Sequence, residues 1–596
     1  MKTSFTIIIV IVLFSLSSVF AQKKADLIIT NGKIITLNDQ QSFAQAVAVS
    51  GNKILAVGTN KEILKLKTAG SVVIDAMGKT VIPGLYDSHL HVIRGGRFYN
   101  TELRWDGVKS LSRAMVMLKE QAERTPEGQW VRVVGGWTEY QFDEKRLPTL
   151  AEINEATEKT PAFILYLYGQ AYLNKAAIEK LGINEDTPNP IGGLIQKDRF
   201  GQPTGLLIAE PNAYILYSTL AKLPELSQEE KINSTKLFIS ELNSLGVTSV
   251  MDAGGGFQNF PDDYAITDLL TKSSELTVRL PYYLFAQKPG SELKDYQQWI
   301  NMVEISDHHD DNLTENKGTE YYVQGGGENL VASGGDFENF TKPRPELPTV
   351  MEPQLKAVIT ELVKNRWPFR LHATYNESIT RFLKVIEEVN EQTPLNGLTW
   401  FFDHAETVTD ENLDRIKLLG GGISIQDRMA FQAETFISRY GKKAALNTPP
   451  IRRMIDKGIR LGAGTDGTRV SSYNPWIGLY WLTTGKSIGG TEFASKENQL
   501  DRVAALKLYT QGSASLIHQE HEKGMIKKGF LADIVVLSED YLKVDAETIR
   551  EIRSELTILN GKPVFGAESF KKYAPKQMKA IPAWSPVNFY GGYQRK

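Results

Sequence analysis

Short apolar runs separated by turn residues dominate the first 82 residues of the chain. Three turn pairs each lie between two runs rich in β-branched residues, and these pairs are Asn31-Gly32, Gly51-Asn52 and Gly78-Lys79. This arrangement is typical of β-hairpins. The same signature returns at Asn560-Gly561, near the other end of the chain. We therefore predict a small β-sandwich domain that is assembled from residues 22–82 and 524–567.

Between these two regions the pattern changes to strand–helix alternation. Eight apolar segments have the length of strands, and they cover residues 80–91, 246–254, 276–286, 319–327, 368–375, 398–406, 421–426 and 459–466. Amphipathic stretches separate several of them, and the stretch 226–246 begins with a capping box at Ser227 and Glu230. Eight strands with helical crossovers predict an α/β fold, a (β/α)₈ barrel.

The predicted barrel covers residues 83–523. Its interval 92–245 is too long for a single crossover, so we predict that it holds an inserted subdomain. Residues 568–596, which follow the second part of the β-sandwich domain, are predicted to form a C-terminal tail.

The first 21 residues have the pattern of a secretory signal peptide. Lys2 precedes an apolar run that begins at Ile7, and Val19-Phe20-Ala21 precedes a predicted cleavage site at Gln22. The uninterrupted apolar run is shorter than the ~20 residues that span a bilayer. We expect an exported protein, periplasmic or secreted, without a membrane anchor after cleavage.

Composition narrows the classes of function. Hydrophobic residues make up 41% of the 596 residues and charged residues 23%, which is typical of a globular protein. Lys and Arg number 68 against 70 Asp and Glu, so no basic surface for nucleic acid is expected. The chain has no cysteine, which excludes disulfides, thiolate metal sites and a cysteine nucleophile. The expected partner is a small-molecule substrate.

Polar residues stand at the ends of the predicted barrel strands, where such barrels place their chemistry. The first strand ends in the sequence DSHLH, and its two histidines share one face because they are two residues apart. The side chains at these strand ends are His89, His91, His372, His404 and Asp466. A single histidine on an apolar strand is often a core residue. Four imidazoles with a carboxylate and no thiolate instead favour Zn²⁺ or another borderline divalent cation.

Two longer motifs point to a known family. The segment VIPGLYDSHLH (81–91) and the segment GMIKKGFLADIVVL (524–537), together with the later histidines and the aspartate, resemble the amidohydrolase superfamily. The resemblance is strongest to a long branch that includes N-substituted formamide deformylases. It implies that His89, His91 and Asp466 bind one metal, and that His372 and His404 bind a second metal or orient the substrate.

The fourth strand departs from the pattern of many relatives, which carry there a carboxylated lysine that bridges two metals. Gln324 occupies the aligned position and cannot be carboxylated, whereas Glu328, four residues later, is a candidate bridging carboxylate. One-metal and two-metal forms therefore both stay open. In the one-metal form His372 joins the ligands and His404 acts as the electrophile.

The resemblance implies hydrolysis of non-peptide carbon–nitrogen bonds, such as those of amides, N-formyl compounds or cyclic amides, by an activated water. Asp466 would transfer the proton, and either a second metal at His372 and His404 or a protonated His404 would stabilise the oxyanion. Weaker candidates for substrate contacts are Arg94, Arg97, Trp105 and Gln426. The alternatives are a lactone or phosphoester hydrolase on the same barrel and a catalytically inactive exported binding protein.

Overall fold

The computed structural model describes residues 24–210, 212–303, 305, 321–337, 340, 344 and 346–594. The predicted signal peptide, residues 1–21, lies outside the described residues. None of the described helices combines the length and the apolar character that crossing a bilayer requires.

An eight-stranded parallel sheet forms the centre of the molecule, as the strand–helix alternation predicted. Its strands, which we number first to eighth, are Leu85–Leu90, Val247–Asp252, Leu280–Leu284, Tyr321–Gly326, Phe369–Ala373, Trp400–His404, Gly422–Gln426 and Arg460–Gly464. Their order in the sheet follows their order in the chain. Beyond the end of the eighth strand, the backbone N–H of Asp466 donates to the carbonyl of His89 at 2.7 Å and so joins the eighth strand to the first. The predicted (β/α)₈ barrel is confirmed.

Helices connect consecutive barrel strands on the outside. They are Gln228–Ser244, Ala265–Lys272, Glu292–Met302, Met351–Lys364, Asn376–Gln392, Asp410–Leu418 and, between the last two strands, Arg428–Tyr440, Lys442–Ala445 and Ile451–Asp456. The helix Gln228–Ser244 begins with the predicted capping box, since the Ser227 side chain accepts from the Glu230 N–H and the Glu230 carboxylate accepts from the Ser227 N–H. The helix buries Phe238 and Leu242 in the core that it shares with the barrel strands. Pro475–Thr484, Arg502–Lys507 and Ser513–Ser515 follow the eighth strand.

In the sequence, the residues between the first barrel strand and the helix Gln228–Ser244 form a six-stranded mixed sheet. In spatial order its strands are Gly193–Lys197, Pro203–Ala209, Gln170–Leu173, Ala162–Tyr166, Val131–Val134 and Glu102–Leu103. The helices of this interval are Val92–Phe98, Leu111–Arg124, Leu150–Thr157, Lys175–Leu181 and Tyr214–Leu220. We call residues 102–220 the insert. A cluster of buried aromatic rings, Trp105, Trp137 and Phe142, lies in its core.

Two further sheets are formed by residues near the ends of the chain, and the six-stranded one combines strands from both ends. One contains Lys53–Gly58, Ala46–Ser50, Leu27–Thr30 and Val72–Asp75, and the other contains Lys562–Gly566, Ser554–Leu559, Ile534–Leu537, Thr80–Pro83, Lys33–Ile35 and Phe43–Ala44. A short helix, Asn60–Ile63, follows the first of these strands. One apolar cluster, which includes Leu27, Val47, Ile534 and Leu556, is shared by the two sheets.

The hairpin prediction is right at two turns and wrong at two. Gly51-Asn52 and Asn560-Gly561 join antiparallel neighbours. Asn31-Gly32 and the turn at Gly78 instead carry the chain from one sheet to the other, and the two crossing segments run side by side and parallel. Leu27–Thr30 and Thr80–Pro83 are buried in different sheets, so the strands on the two sides of each turn pair with other strands and not with each other. The Gly78 N–H donates to the Asn31 carbonyl at 2.7 Å, which links the two crossings.

The C-terminal segment binds the insert to the barrel. On the short helix Val587–Tyr590, the Tyr590 hydroxyl accepts from Arg124 at 2.8 Å and donates to Glu120 at 2.6 Å, both on a helix of the insert. The backbone N–H of Tyr593 donates to Glu241, which lies on the first crossover helix. The C-terminal segment therefore contacts the insert and the barrel.

We expect the substitution Tyr590→Ala to lower the free energy of unfolding by about 1–2 kcal/mol, because it removes a half-buried ring and two hydrogen bonds. Denaturant titration followed by circular dichroism measures this change. The control Lys576→Ala, at an exposed position of the same segment, should change the value by less than about 0.5 kcal/mol. Equal stability of the two variants would show that the tail does not hold the insert in place.

Candidate metal centre

The structure brings the five predicted side chains together at the carboxyl end of the barrel. Together with Glu328, they form three sets of possible ligands, and the donor atoms of each set lie within 4.8 Å of one another. The sets are His89, His404 and Asp466; His89, His91 and Glu328; and Glu328, His372 and His404. All six residues are buried except His372, which is partly exposed. Side chains from the first, fourth, fifth, sixth and eighth strands thus converge on one small volume.

Glu328, just beyond the fourth strand, lies at the middle of the cluster. Its carboxylate oxygens are 3.6 Å from His89 Nε2, 3.8 Å from His91 Nε2, 3.2 Å from His372 Nδ1 and 3.5 Å from His404 Nε2. Gln324 is buried within the strand, and its Oε1 has no hydrogen-bond partner among the residues that the structure describes. Of the two candidates for a bridging position, Glu328 is the one that contacts the histidines.

The backbone departs from strand geometry at two of these residues. His404 has a φ of 76° and Asp466 a φ of 56°, both in the left-handed region that non-glycine residues rarely adopt. At His404 this conformation interrupts the alternation of the sixth strand, so consecutive residues Asp403 and His404 both reach the cluster. Strict strand periodicity would have sent one of them outward.

Hydrogen bonds set the orientation of the first two histidines. His89 Nδ1 lies 2.9 Å from Asp403 Oδ1, and His91 Nδ1 contacts the carbonyl oxygen of Gly254. An N–H at Nδ1 that donates to these acceptors leaves the lone pair of each Nε2 facing Glu328 and Asp466. His89 Nε2 has no hydrogen-bond partner in the part of the chain that the structure describes. This is the tautomer that a metal ligand requires.

The other two histidines direct ring nitrogens toward the same carboxylate. His372 Nε2 is 2.9 Å from the carbonyl oxygen of Asp336, which leaves its Nδ1 to face Glu328 at 3.2 Å. His404 Nε2 lies 2.8 Å from His372 Nδ1. Two ring nitrogens and a carboxylate this close together need a proton or a metal cation among them. The donor set and its orientation therefore fit a divalent cation.

Sequence reasoning missed the buried pair of Arg370 and Asp403, which positions His89. Arg370 Nε donates to Asp403 Oδ2 at 2.7 Å, and both side chains are fully buried. The guanidinium lies 5.0 Å from the ring centre of Tyr283 and 4.8 Å from that of Phe401. Arg370 is two residues before His372 in the fifth strand, so strand periodicity could have indicated its inward direction. Its pairing with Asp403 depends on the tertiary structure.

The carboxylates give this volume excess negative charge. Burial disfavours the charged form of His89, yet Asp403, Asp466 and Glu328 outweigh that effect and raise its pKa to about 9. The neighbouring histidines hold the pKa of Asp466 and of Glu328 well below the usual range, against the opposing effect of burial. Both carboxylates are therefore ionised at neutral pH.

His404 is a different case, because burial and the nearby Arg428 lower its pKa to about 4. Arg428, at the start of the helix Arg428–Tyr440, donates to Glu406 at 2.6 Å and lies 4.0 Å from Asp466 Oδ2. A neutral imidazole and a fixed cation thus flank the Asp466 carboxylate.

The four residues considered for substrate contact lie in different environments. Trp105 is fully buried against Trp137 in the insert core, so packing accounts for its ring and the expectation of a substrate contact is not supported. Gln426 is buried inside the barrel, where it donates to Ser424 at 2.8 Å. Arg94 and Arg97, on the helix Val92–Phe98, line a cavity of about 400 Å³ beside the cluster.

Comparisons with known proteins agree with this geometry. A family model described as "Amidohydrolase family" matches residues 72–565. Over 90% of its length the chain is 25% identical to N-substituted formamide deformylase of Arthrobacter pascens, covering 97% of that protein, and 25% identical to protein YtcJ of Bacillus subtilis, covering 98%. The solved structure of an uncharacterized metal-dependent hydrolase from Pyrococcus horikoshii shares the fold, with a TM-score of 0.61, 21% identity, and coverage of 87% of this chain and 99% of that one.

We expect Asp403→Asn to weaken zinc binding about 10–100-fold, because His89 loses its charged acceptor and Arg370 loses its counter-ion. Zinc content after dialysis against a series of buffered chelators, measured by elemental mass spectrometry, gives the affinity. The control Asp410→Asn removes an exposed carboxylate from the helix Asp410–Leu418 and should leave the affinity unchanged. Equal affinities for both variants would contradict the orienting role of Asp403.

Proposed function

Because the chain belongs to the amidohydrolase family, we propose that it is a metal-dependent hydrolase of carbon–nitrogen bonds other than peptide bonds. Amides, N-formyl compounds and cyclic amides are the proposed substrates. The observation that carries the proposal is the cluster of four histidines and two carboxylates at the carboxyl end of the barrel, with imidazole lone pairs directed inward. Similarity to a formamide deformylase supports the same bond class.

We propose Zn²⁺ as the cation, because neutral imidazole and carboxylate without thiolate suit this metal. His89, His91 and Asp466 would hold one ion, and His372 and His404 a second. Glu328 contacts both groups and would bridge the two ions. When bound, such ions activate a water molecule and polarise the substrate carbonyl.

Asp466 is the proposed acid–base residue. Its carboxylate is ionised, and Oδ1 lies 3.2 Å from His91 Nε2 while Oδ2 is directed toward His404 and Arg428 at 3.9 and 4.0 Å. This position lets it accept a proton from the attacking water and return that proton to the leaving nitrogen. The Arg428 guanidinium on the same side would stabilise the oxyanion, while His404 would serve as a metal ligand.

The Asp466→Asn variant should lose about 10²–10⁴-fold in kcat/KM on amide substrates, since the amide group cannot shuttle a proton. The assay uses the zinc-loaded mature protein with a panel of N-formyl amines, N-acyl amines and cyclic imides, and with a lactone and a phosphoester as alternatives. Asp456→Asn, at an exposed carboxylate, is the control and should keep full activity. Unchanged amide hydrolysis by the Asp466 variant, or turnover of the lactone or phosphoester alone, would refute this assignment.

Removal of the metal should abolish hydrolysis, and addition of Zn²⁺ should restore it. Treatment with a chelator, gel filtration and elemental analysis establish the metal-free state before the assay, and circular dichroism establishes that the fold is retained. Full activity without detectable metal would exclude the proposed mechanism. Wild-type protein that binds zinc but hydrolyses nothing in the panel would instead favour an exported binding protein.

We also propose that the protein is exported after cleavage before Gln22. The basis is the sequence of residues 1–21, with a charged start, an apolar run and a small residue at position 21. In a bacterial host, mass spectrometry of the exported fraction should find Gln22 as the first residue. Ala21→Arg should block this cleavage, and an uncleaved wild-type chain in the cytoplasm would contradict export.

A further inference from the structure

Two buried arginines beside the metal centre have no acidic partner. Arg94 is 4% exposed and Arg469 is 5% exposed. Within the described ranges no carboxylate oxygen lies within 4.0 Å of either guanidinium. Three other buried arginines, by contrast, each contact a carboxylate: Arg104 contacts Glu102, Arg370 contacts Asp403, and Arg428 contacts Glu406. Burial of a charge without a counter-ion is costly, and a ligand that supplies the counter-ion recovers that cost.

Arg94 is held in place by phenol groups and lies beside His91. Its Nη1 donates to the Tyr217 hydroxyl at 2.9 Å and its Nη2 to the Tyr168 hydroxyl at 3.3 Å. A β-carbon at Gly255 would lie 3.0 Å from Arg94 Nη1 and 3.5 Å from His91 Nδ1. The glycine therefore leaves the guanidinium close to a proposed metal ligand, with no side chain between the two.

Arg469, three residues after Asp466, flanks the same phenol. Its guanidinium carbon lies 4.5 Å from the centre of the Tyr217 ring, and that of Arg94 lies 5.5 Å from it. Arg469 Nε and Nη1 have no hydrogen-bond partner among the residues described. The Gly136 N–H of the insert donates to the Arg469 carbonyl at 3.1 Å, which fixes the backbone beneath this side chain.

Both guanidinium groups line the cavity of about 400 Å³, a volume that suits a small ligand. Two other cations in its wall are paired, since Arg97 contacts Asp263 at 2.7 Å and Lys231 contacts Glu225 at 2.5 Å. Arg132, the remaining cation of the lining described by the structure, has no described carboxylate within 4.0 Å and donates to the Pro224 carbonyl. Aromatic side chains complete the wall, and they are Phe98, Tyr217 and Phe257. Of the lining arginines without an acidic partner, Arg94 and Arg469 are the two near residues of the metal centre, since Arg94 lies beside His91 and Arg469 is three residues after Asp466.

We propose that Arg94 and Arg469 bind a carboxylate group of the substrate, so that the preferred substrates are amides with a nearby carboxylate, such as N-acylated or N-formylated amino acids. Guanidinium groups match a planar carboxylate through paired N–H donors. The aromatic wall would hold an apolar side chain. This inference rests on the proposed function, because it names the substrates of that same site.

A matched pair of substrates tests the inference. N-formylphenylalanine and N-formylphenethylamine differ only by the carboxylate, and both are assayed with zinc-loaded wild-type protein. We expect kcat/KM to be about 10²-fold higher for the acid. In Arg469→Met, and separately in Arg94→Met, the value for the acid should fall to that of the neutral compound, while the value for the neutral compound changes less than about threefold.

Two controls separate charge recognition from general damage. Arg469→Lys keeps the charge but not the planar donor set, and should retain part of the preference for the acid. Lys272→Met removes a cation that lies outside the cavity lining and already has an acidic partner, Asp268, and should leave the preference intact. Wild-type protein without a preference for the acid, or an equal loss on both substrates in the Arg469 and Arg94 variants, would overturn the proposal.

A binding measurement keeps this inference distinct from the proposed function. Calorimetry compares 3-phenylpropanoate, 3-phenylpropanamide and inorganic phosphate as ligands of wild-type protein and of Arg469→Met. Tighter binding of the carboxylate, lost in the variant, supports the anion site even if no amide is hydrolysed. Equal binding of the carboxylate and the amide, or a preference for phosphate, overturns it.

Discussion

The backbone hydrogen bond from Asp466 to His89 is the contact on which the rest of the molecule depends. It joins the last barrel strand to the first. The two residues that it links, His89 and Asp466, also contribute side chains to the metal centre. The His91 N–H donates to the carbonyl of Gly467 and continues the same junction. The donor residues stand at the ends of strands that meet only when the barrel closes. Closure of the parallel sheet therefore also assembles the donor cluster.

Electrostatic compensation explains why so many charged groups can be buried at this junction. The pair of Arg370 and Asp403 satisfies charges beneath His89, and the pair of Arg428 and Glu406 does so beside Asp466. Glu328 and Asp466 remain as excess negative charge directed at imidazole lone pairs. A divalent cation is the natural complement of that arrangement, and its binding free energy would also stabilise the folded barrel.

The insert shapes the surroundings of the metal centre through the loop after the eighth strand. Arg104 of the insert donates to the Thr468 carbonyl at 3.1 Å, and Gly136 donates to the neighbouring Arg469 carbonyl. Tyr168 and Tyr217 of the insert position Arg94 from the other side. The barrel thus supplies the metal donors, whereas the insert orients the cationic side chains that we assign to substrate recognition.

The amino-acid sequence determined the barrel, its eight strands and five of the six donors, because parallel strands in strand–helix alternation bring their carboxyl ends to the same mouth. The family resemblance also made Glu328 a candidate bridging carboxylate, because it is four residues from Gln324, the position aligned with the bridging lysine of relatives. Tertiary structure decided that Glu328 rather than Gln324 reaches the histidines, and that the turns at Asn31 and Gly78 cross between sheets. It also decided which buried arginines have acidic partners. Local periodicity fixes the direction of a side chain along its own strand, but partners such as Arg370 and Asp403 meet through packing between separate strands, which no local pattern encodes.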